Sequence, residues 1–160
     1  MVPNQASPLC LGKRRGKFLK TRCGGTIVYM RGFPKTDHKE FKIFKSLNSP
    51  PKIQDFIDKI PINFGETNMS PLMVLRRKRA HCLEGALLAA AILWHNGERP
   101  LILDLKTTDK DESHVVALFK QNGLWGAVSK TNHAVLSYRD AVYKNPRELA
   151  GIFVFLLEKT

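Results

Sequence analysis

A cysteine and a histidine set 32 residues apart are the residues of this chain best suited to chemistry. Cys82 begins an apolar run that ends at His95, and His114 opens a short apolar, β-branched run. A cysteine attacks a carbonyl carbon as its thiolate, and the free amides and dipole of a helix N-terminus favour that anion. The same amides could hold a developing oxyanion. A histidine that packs against this helix start would take the thiol proton. The pair therefore predicts a thiol-dependent acyl-transfer site.

The run from Cys82 to His95 is the strongest helix prediction in the chain. It is apolar nearly all round, which is typical of a helix that is buried on most sides. Asn96-Gly97 predicts its end. Glu84 is expected to cap its first turn, where the carboxylate charge would oppose a thiolate. The basic run at 76–79 just before it is interpreted as a solvated helix end, and in a weaker interpretation as a binding site for an anionic substrate.

The remaining pattern indicates which elements position the two residues. Ser-Pro pairs at 49–50 and 70–71 predict two helix starts, because a serine cap is followed by a proline in the first turn. Gln121-Asn122-Gly123 predicts a tight hairpin. Strands are predicted at 26–30, 100–105, 114–120, 124–129 and 133–138, and a last helix after Asn145-Pro146. Helices segregated from antiparallel strands predict an α+β fold.

Four runs of this chain resemble a known family. They are Ala80–Leu87 (AHCLEGAL), Arg99–Leu105 (RPLILDL), His114–Phe119 (HVVALF) and Gly123–Val128 (GLWGAV). In order and spacing they resemble a transglutaminase-like domain of the papain-like cysteine protease superfamily, and in particular its small, uncharacterised bacterial members. The resemblance covers about residues 40–150. It implies a central buried helix carrying the cysteine, packed on an antiparallel sheet with flanking helices, and a Cys-His-Asp triad with no cofactor.

Within that resemblance, Cys82 matches the nucleophile and His114 the base, but the third position departs from the pattern. The orienting aspartate of these domains usually lies four residues after the strand tryptophan, and four residues after Trp125 is Ser129. A serine accepts a hydrogen bond but has no charge to stabilise an imidazolium. Asn132 is the predicted substitute, because an asparagine orients the histidine in papain-type sites. Other carboxylates, whose placement the sequence does not constrain, are Asp104, Asp111 and Glu112.

Two functions follow from these residues. The first is hydrolysis or transfer of an amide, ester or thioester acyl group at Cys82, with His114 as base and Asn132 as its orienting group. The substrate would be a protein, a peptide or a small acyl compound. The alternative is a catalytically inactive transglutaminase-like binding module, because the usual aspartate position holds Ser129.

The net charge of +12 is unevenly distributed. Residues 1–45 carry +9 and residues 46–160 carry +3. Residues 1–37 are therefore predicted to be a flexible basic tail and residues 38–160 the folded domain. A targeting segment and a start codon placed too far upstream are the other interpretations of this tail. Nucleic-acid binding through residues 1–45 is a weaker hypothesis, because no aromatic residues are interleaved with the basic ones in a binding motif.

Cysteine usage and hydropathy indicate the compartment. Cys10, Cys23 and Cys82 form no even disulfide framework and no close C-x-x-C pair for zinc. This usage fits a reducing compartment, so a cytoplasmic location is predicted. The longest apolar run, 86–94, is too short to span a bilayer, so no membrane segment is predicted.

Overall fold

The computed structural model describes residues 16–20, 26–30, 33, 37–105 and 114–157. Helices and an antiparallel sheet share these residues, so the predicted α+β class is confirmed. The helices are α1 (Pro50–Asp58), α2 (Pro71–Arg77), α3 (Cys82–His95) and α4 (Pro146–Leu157), with 3₁₀ helices at Lys39–Ser46 and Ala134–Leu136. The strands are β1 (Gly16–Lys20), β2 (Thr26–Met30), β3 (Leu101–Leu105), β4 (His114–Gln121), β5 (Leu124–Ser129) and β6 (Arg139–Tyr143).

The four-stranded sheet has the order β3-β4-β5-β6, with every neighbouring pair antiparallel. The β4–β5 turn confirms the predicted hairpin: Asn122 and Gly123 have φ values of 50° and 82°, and both are left-handed. A two-residue turn of this kind matches the twist of the strands it joins. In the resulting register, Val116 pairs with Ser129 and Leu105 pairs with His114. The start of β4 and the end of β5 therefore lie at the same end of the sheet.

The two faces of this sheet are covered by different helices. Buried residues of α3 cluster with the strand residues Ala117, Phe119 and Val128. Buried residues of α4 cluster with Leu103, Leu105, Val116, Leu118 and Ala127. Since side chains alternate between the two faces along a strand, each strand residue can be assigned to the α3 face or to the α4 face.

The bounds of α3 are those predicted, and local signals account for them. The helix ends where Asn96 caps it and Gly97 takes a φ of 90°, which a glycine adopts without strain. Predicted starts are confirmed for α1 and α2, each with proline in its first turn. Ser70 caps α2, since its hydroxyl accepts from the Met73 amide at 3.4 Å.

The strand predicted at 133–138 is wrong. Ala134–Leu136 is a 3₁₀ turn instead, and the strand follows at Arg139–Tyr143. The Arg139 guanidinium donates to the carbonyls of Val135 and Tyr138, so it satisfies the backbone of the turn. Gly126 of β5 allows the close approach of β6, because a Cβ at this position would lie 2.7 Å from the Arg139 carbonyl oxygen.

A hairpin lies within the segment predicted to be a tail. β1 and β2 pair antiparallel, which confirms the predicted strand at 26–30. Phe33 packs edge-to-face against Trp94 of α3, with their ring centroids 5.3 Å apart. Residues 1–15, 21–25, 31–32 and 34–36 lie outside the described residues, and the flexible tail at 1–37 and nucleic-acid binding through 1–45 stay predictions.

Candidate functional site

Cys82 is the first residue of α3 and is half-buried. The chain enters this helix along a short parallel bridge between Ile62 and Ala80. The Ala80 amide donates to the Pro61 carbonyl at 3.1 Å, and the Asn63 amide donates to the Ala80 carbonyl at 3.0 Å. These bonds fix the backbone of the segment immediately before Cys82 against the loop that follows α1.

Glu84, two residues into α3, is fully buried and organises that loop. One carboxylate oxygen accepts from the Thr67 hydroxyl at 2.6 Å and from the Met69 amide at 2.8 Å. The other accepts from the His81 amide at 3.1 Å and from the Asn63 side-chain amide at 3.2 Å. The predicted capping role is therefore confirmed. Glu84 also accepts hydrogen bonds from the loop after α1, which the local sequence pattern does not predict.

Hydrogen bonding keeps this buried carboxylate charged. Burial raises the pKa of Glu84, but the hydrogen bonds from Thr67, Met69, His81 and Asn63 outweigh it, so the pKa is lowered from its ordinary value. The His81 ring also faces the network: its Nε2 donates to the Thr67 carbonyl oxygen at 2.5 Å and lies 3.5 Å from the carboxylate. The first turn of α3 therefore contains a buried negative charge whose four hydrogen bonds all come from the protein.

His114 opens β4 and its side chain is 6% exposed. Its Nε2 shares a hydrogen bond with Ser129 Oγ at 2.8 Å, so the predicted base and the residue in the usual aspartate position are in contact. On its other side the ring lies against Phe153 of α4, with centroids 6.2 Å apart. Asn132 is exposed, three residues beyond Ser129, and its catalytic role stays a prediction.

The environment of His114 holds its imidazole neutral. Burial, and to a smaller extent the nearby charge of His133, lower the pKa of His114 from 6.5 to about 4, although a backbone hydrogen bond with Leu136 opposes them. At neutral pH the ring is therefore unprotonated, but a pKa of about 4 also makes it a weak base, so a negative charge beside it must raise that pKa before it can take the proton of a thiol. No carboxylate is needed to keep the ring in this state.

The depressed pKa of His114 predicts a specific pH dependence of stability. The unfolded chain binds a proton at this position near pH 6.5, whereas the folded chain does so only near pH 4. The stability that the protein gains from keeping His114 neutral is therefore fully present above pH 6.5, and it is lost as the pH falls toward 4. We expect the free energy of unfolding to drop by about 2 kcal/mol between pH 7 and pH 5 on this account. Urea unfolding at a series of pH values measures it.

A matched pair of histidine variants isolates this effect from the other titrating groups. His114→Gln should flatten the curve between pH 7 and pH 5, because glutamine does not titrate. His38→Gln removes an exposed histidine and should leave the curve as in the parent protein. If the two variants give the same curve, burial of His114 does not control the stability in this range.

Gly85 of α3 locates Cys82 relative to β5. A Cβ on Gly85 would lie 2.2 Å from Lys130 Cβ, so the residue after β5 sits directly on the first turn of α3. Residues three apart share a helix face, so Cys82 and Gly85 lie on the same side of α3. Lys130 follows Ser129, and Ser129 is bonded to His114. The structure thus brings Cys82, Ser129 and His114 to one end of the sheet.

The side chains of Cys82 and His114 approach this end from different faces. His114 alternates with Val115 and falls on the same face as Val116, which α4 covers. Cys82 belongs to α3, which covers the opposite face. The thiol and the imidazole can therefore meet only around the end of the sheet, where β4 begins.

A glutamine that sequence reasoning missed holds the end of β5 in place. Gln54 of α1 is 4% exposed. Its amide nitrogen donates to the Ser129 carbonyl at 2.8 Å, and its amide oxygen accepts from the Ser129 amide at 3.0 Å. The sequence predicts this helix from the spacing of apolar residues such as Ile53 and Ile57. That spacing does not indicate that a polar side chain between them is also buried.

Of the other carboxylates considered, Asp104 lies on β3 and pairs with Val115, whereas Asp111 and Glu112 lie outside the described residues. Across the part of the chain that the structure describes, no helix is long and apolar enough to cross a membrane. The same residues contain no group of three or more His, Cys, Asp or Glu side chains that could hold a metal ion. Comparison of the chain with known protein families and with curated proteins gives no match. Function is therefore inferred from the site alone.

Proposed function

We propose that this chain is a transglutaminase-like, papain-type domain that transfers acyl groups through Cys82. The substrate class is an amide, ester or thioester, and hydrolysis is the simplest outcome because no site for an amine acceptor is evident among the described residues. His114 is the base, and Ser129 orients it in place of the aspartate that such domains usually carry.

Each step of the proposed reaction uses a group already described. The Cys82 sulfur forms a bond to the acyl carbon while its proton passes to the His114 imidazole. The imidazolium then returns that proton to the leaving amine, alcohol or thiol, and an acyl-enzyme is left. Water then attacks the acyl carbon and gives a proton to the imidazole. The bond between that carbon and the sulfur breaks, the imidazolium returns the proton to the sulfur, and the carboxylic acid and the free thiol are released.

One observation carries this proposal: the 2.8 Å contact between His114 Nε2 and Ser129 Oγ. Together with the backbone hydrogen bond at Leu136, this contact holds the imidazole in one orientation beside Ser129. The pKa of His114, about 4, keeps the imidazole unprotonated at neutral pH, and a thiolate developing beside the ring would raise that pKa during the reaction. Reaction then requires the imidazole and the thiol to meet around the end of the sheet.

The test is the rate at which iodoacetamide labels Cys82, measured by peptide mass spectrometry in a Cys10→Ser/Cys23→Ser background. Cys82→Ser should abolish labelling of this peptide. His114→Ala should slow labelling of Cys82 by about tenfold or more, because a positioned base activates the nucleophile. His38→Ala, which removes an exposed histidine, should label at the parent rate. An unchanged rate in His114→Ala would sink the proposed dyad.

A binding module without turnover is the second candidate, and the alternation along β4 favours it. His114 points to the α4 face and Cys82 lies on the helix of the α3 face. In that case His114 is a buried, hydrogen-bonded core histidine and Ser129 its partner. A binding module of this kind would show the same Cys82 labelling rate in the parent, His114→Ala and Ser129→Ala proteins.

A further inference from the structure

Lys130 is a buried lysine that no part of the proposed reaction uses. It is 4% exposed, although lysine is among the residues least often buried without a partner. Among the described residues, no hydrogen bond or ion pair to its ammonium is seen, and the nitrogen itself is not fully closed off from solvent. Burial lowers the pKa of Lys130, and the carboxylate of Asp58 on α1 opposes the shift from a distance. An ammonium in this position is suited to an anion supplied from outside the chain.

The stem of Lys130 lies across the first turn of α3. Its Cβ and Cγ occupy the space that a side chain on Gly85 would need, at 2.2 and 2.8 Å from a Cβ there. Cys82 lies one turn earlier on the same face of the helix. The lysine is therefore positioned against the helix face that carries the thiol, and the absence of a side chain at 85 is what allows it.

The charges around this position favour an anion. Arg77, Lys78 and Arg79 are exposed just before the segment that leads into α3. The charged group that acts on Lys130 is the carboxylate of Asp58 on α1, and Glu84 and His81 lie at the start of α3 beside Cys82 in the chain. The Glu84 carboxylate is already saturated by four donors from the protein. The free amides at the start of α3 add a positive partial charge.

We propose that Lys130 binds a carboxylate of the acyl donor, close to the carbonyl that Cys82 attacks. This rests on the proposed function, because it assigns the substrate class of the same site. The chain then selects anionic acyl donors, because the substrate carboxylate forms an ion pair with the Lys130 ammonium. Arg77, Lys78 and Arg79 attract such donors toward the start of α3 but are not required for the contact.

Two alkylating probes that differ in charge test this without any knowledge of the substrate. Iodoacetate and iodoacetamide react in the same way: the sulfur bonds to the methylene carbon and iodide leaves. One carries a carboxylate beside that carbon and the other a neutral amide. We expect the ratio of the iodoacetate rate to the iodoacetamide rate at Cys82 to fall about tenfold in Lys130→Met, the scale of one lost contact between unit charges. Lys130→Arg should keep most of the ratio.

Lys120→Met is the matched control, because it removes an exposed lysine from the far end of β4. It should leave the ratio unchanged. If Lys130→Met does not fold, the parent protein still tests the proposal. Its ratio of the iodoacetate rate to the iodoacetamide rate at Cys82 should exceed the same ratio for a short peptide spanning His81–Glu84. A parent ratio equal to the peptide's, or a ratio unaffected in Lys130→Met, overturns the proposal. The neutral probe alone tests the His114 dyad, so failure of one proposal is distinguishable from failure of the other.

Discussion

Replacing Glu84 by glutamine is expected to lower the free energy of unfolding by about 2–4 kcal/mol. All four groups that contact this buried carboxylate are donors: the Thr67 hydroxyl, the Met69 and His81 amides, and the Asn63 side-chain amide. A glutamine would turn its own NH₂ toward two of them, so buried donors would be left without acceptors. Urea unfolding at pH 7 measures the loss.

The matched control for that change is Glu148→Gln in the first turn of α4. Its carboxylate is exposed and accepts one bond, from the Lys144 amide at 2.8 Å. Its loss should cost less than about 1 kcal/mol. The penalty at Glu84 should also shrink in acid: its pKa is lowered, so its contribution is present above the ordinary carboxyl pKa and is lost as the pH falls through the folded value. Equal costs at 84 and 148 would contradict this account.

Replacing Gly85 by alanine is expected to destabilise the protein by about 2–3 kcal/mol, although alanine is normally the better helix former. The added Cβ would lie 2.2 Å from Lys130 Cβ, so the helix or the end of β5 must shift. Gly151→Ala in α4 is the matched control, because no atom lies within 4 Å of a Cβ there. That change should stabilise the protein by about 0.5–1 kcal/mol. Thermal unfolding of both variants measures these changes: the midpoint temperature should fall in Gly85→Ala and rise in Gly151→Ala.

A double variant tests the origin of the clash. Gly85→Ala combined with Lys130→Gly removes the atoms that the new Cβ meets, so it should be more stable than the sum of the two single changes implies. Additive effects would show that the clash with Lys130 is not what Gly85 avoids.

The elements whose signals are local were predictable from the sequence. The bounds of α3 follow from its apolar run and from Asn96-Gly97, and the hairpin after β4 follows from Asn122-Gly123. β6 was misplaced because the turn before it is held by the guanidinium of Arg139 and the close approach to Gly126, which are both tertiary contacts.

The candidate site also has a part that the sequence predicts and a part that only tertiary contacts decide. Cys82 and His114 could be singled out because the residue types and their order carry the signal. The contact of Ser129 with His114, the inward turn of Gln54 and the donors around Glu84 join residues far apart in the chain. Periodicity within one element cannot indicate which element it will meet.

The pairing of Gln54 with Ser129 has a consequence for the order in which the site forms. The amide of Gln54 copies a peptide group, because it gives one donor and one acceptor to the backbone of a residue 75 positions away. Contacts of such long sequence separation form late in folding, since a long loop must close first. The register of β4 and β5 pairs Ser129 with Val116, but the amide and carbonyl of Ser129 gain their bonds to Gln54 only when α1 docks. We therefore expect Ser129, the hydrogen-bond partner of His114, to be held rigidly only late in folding.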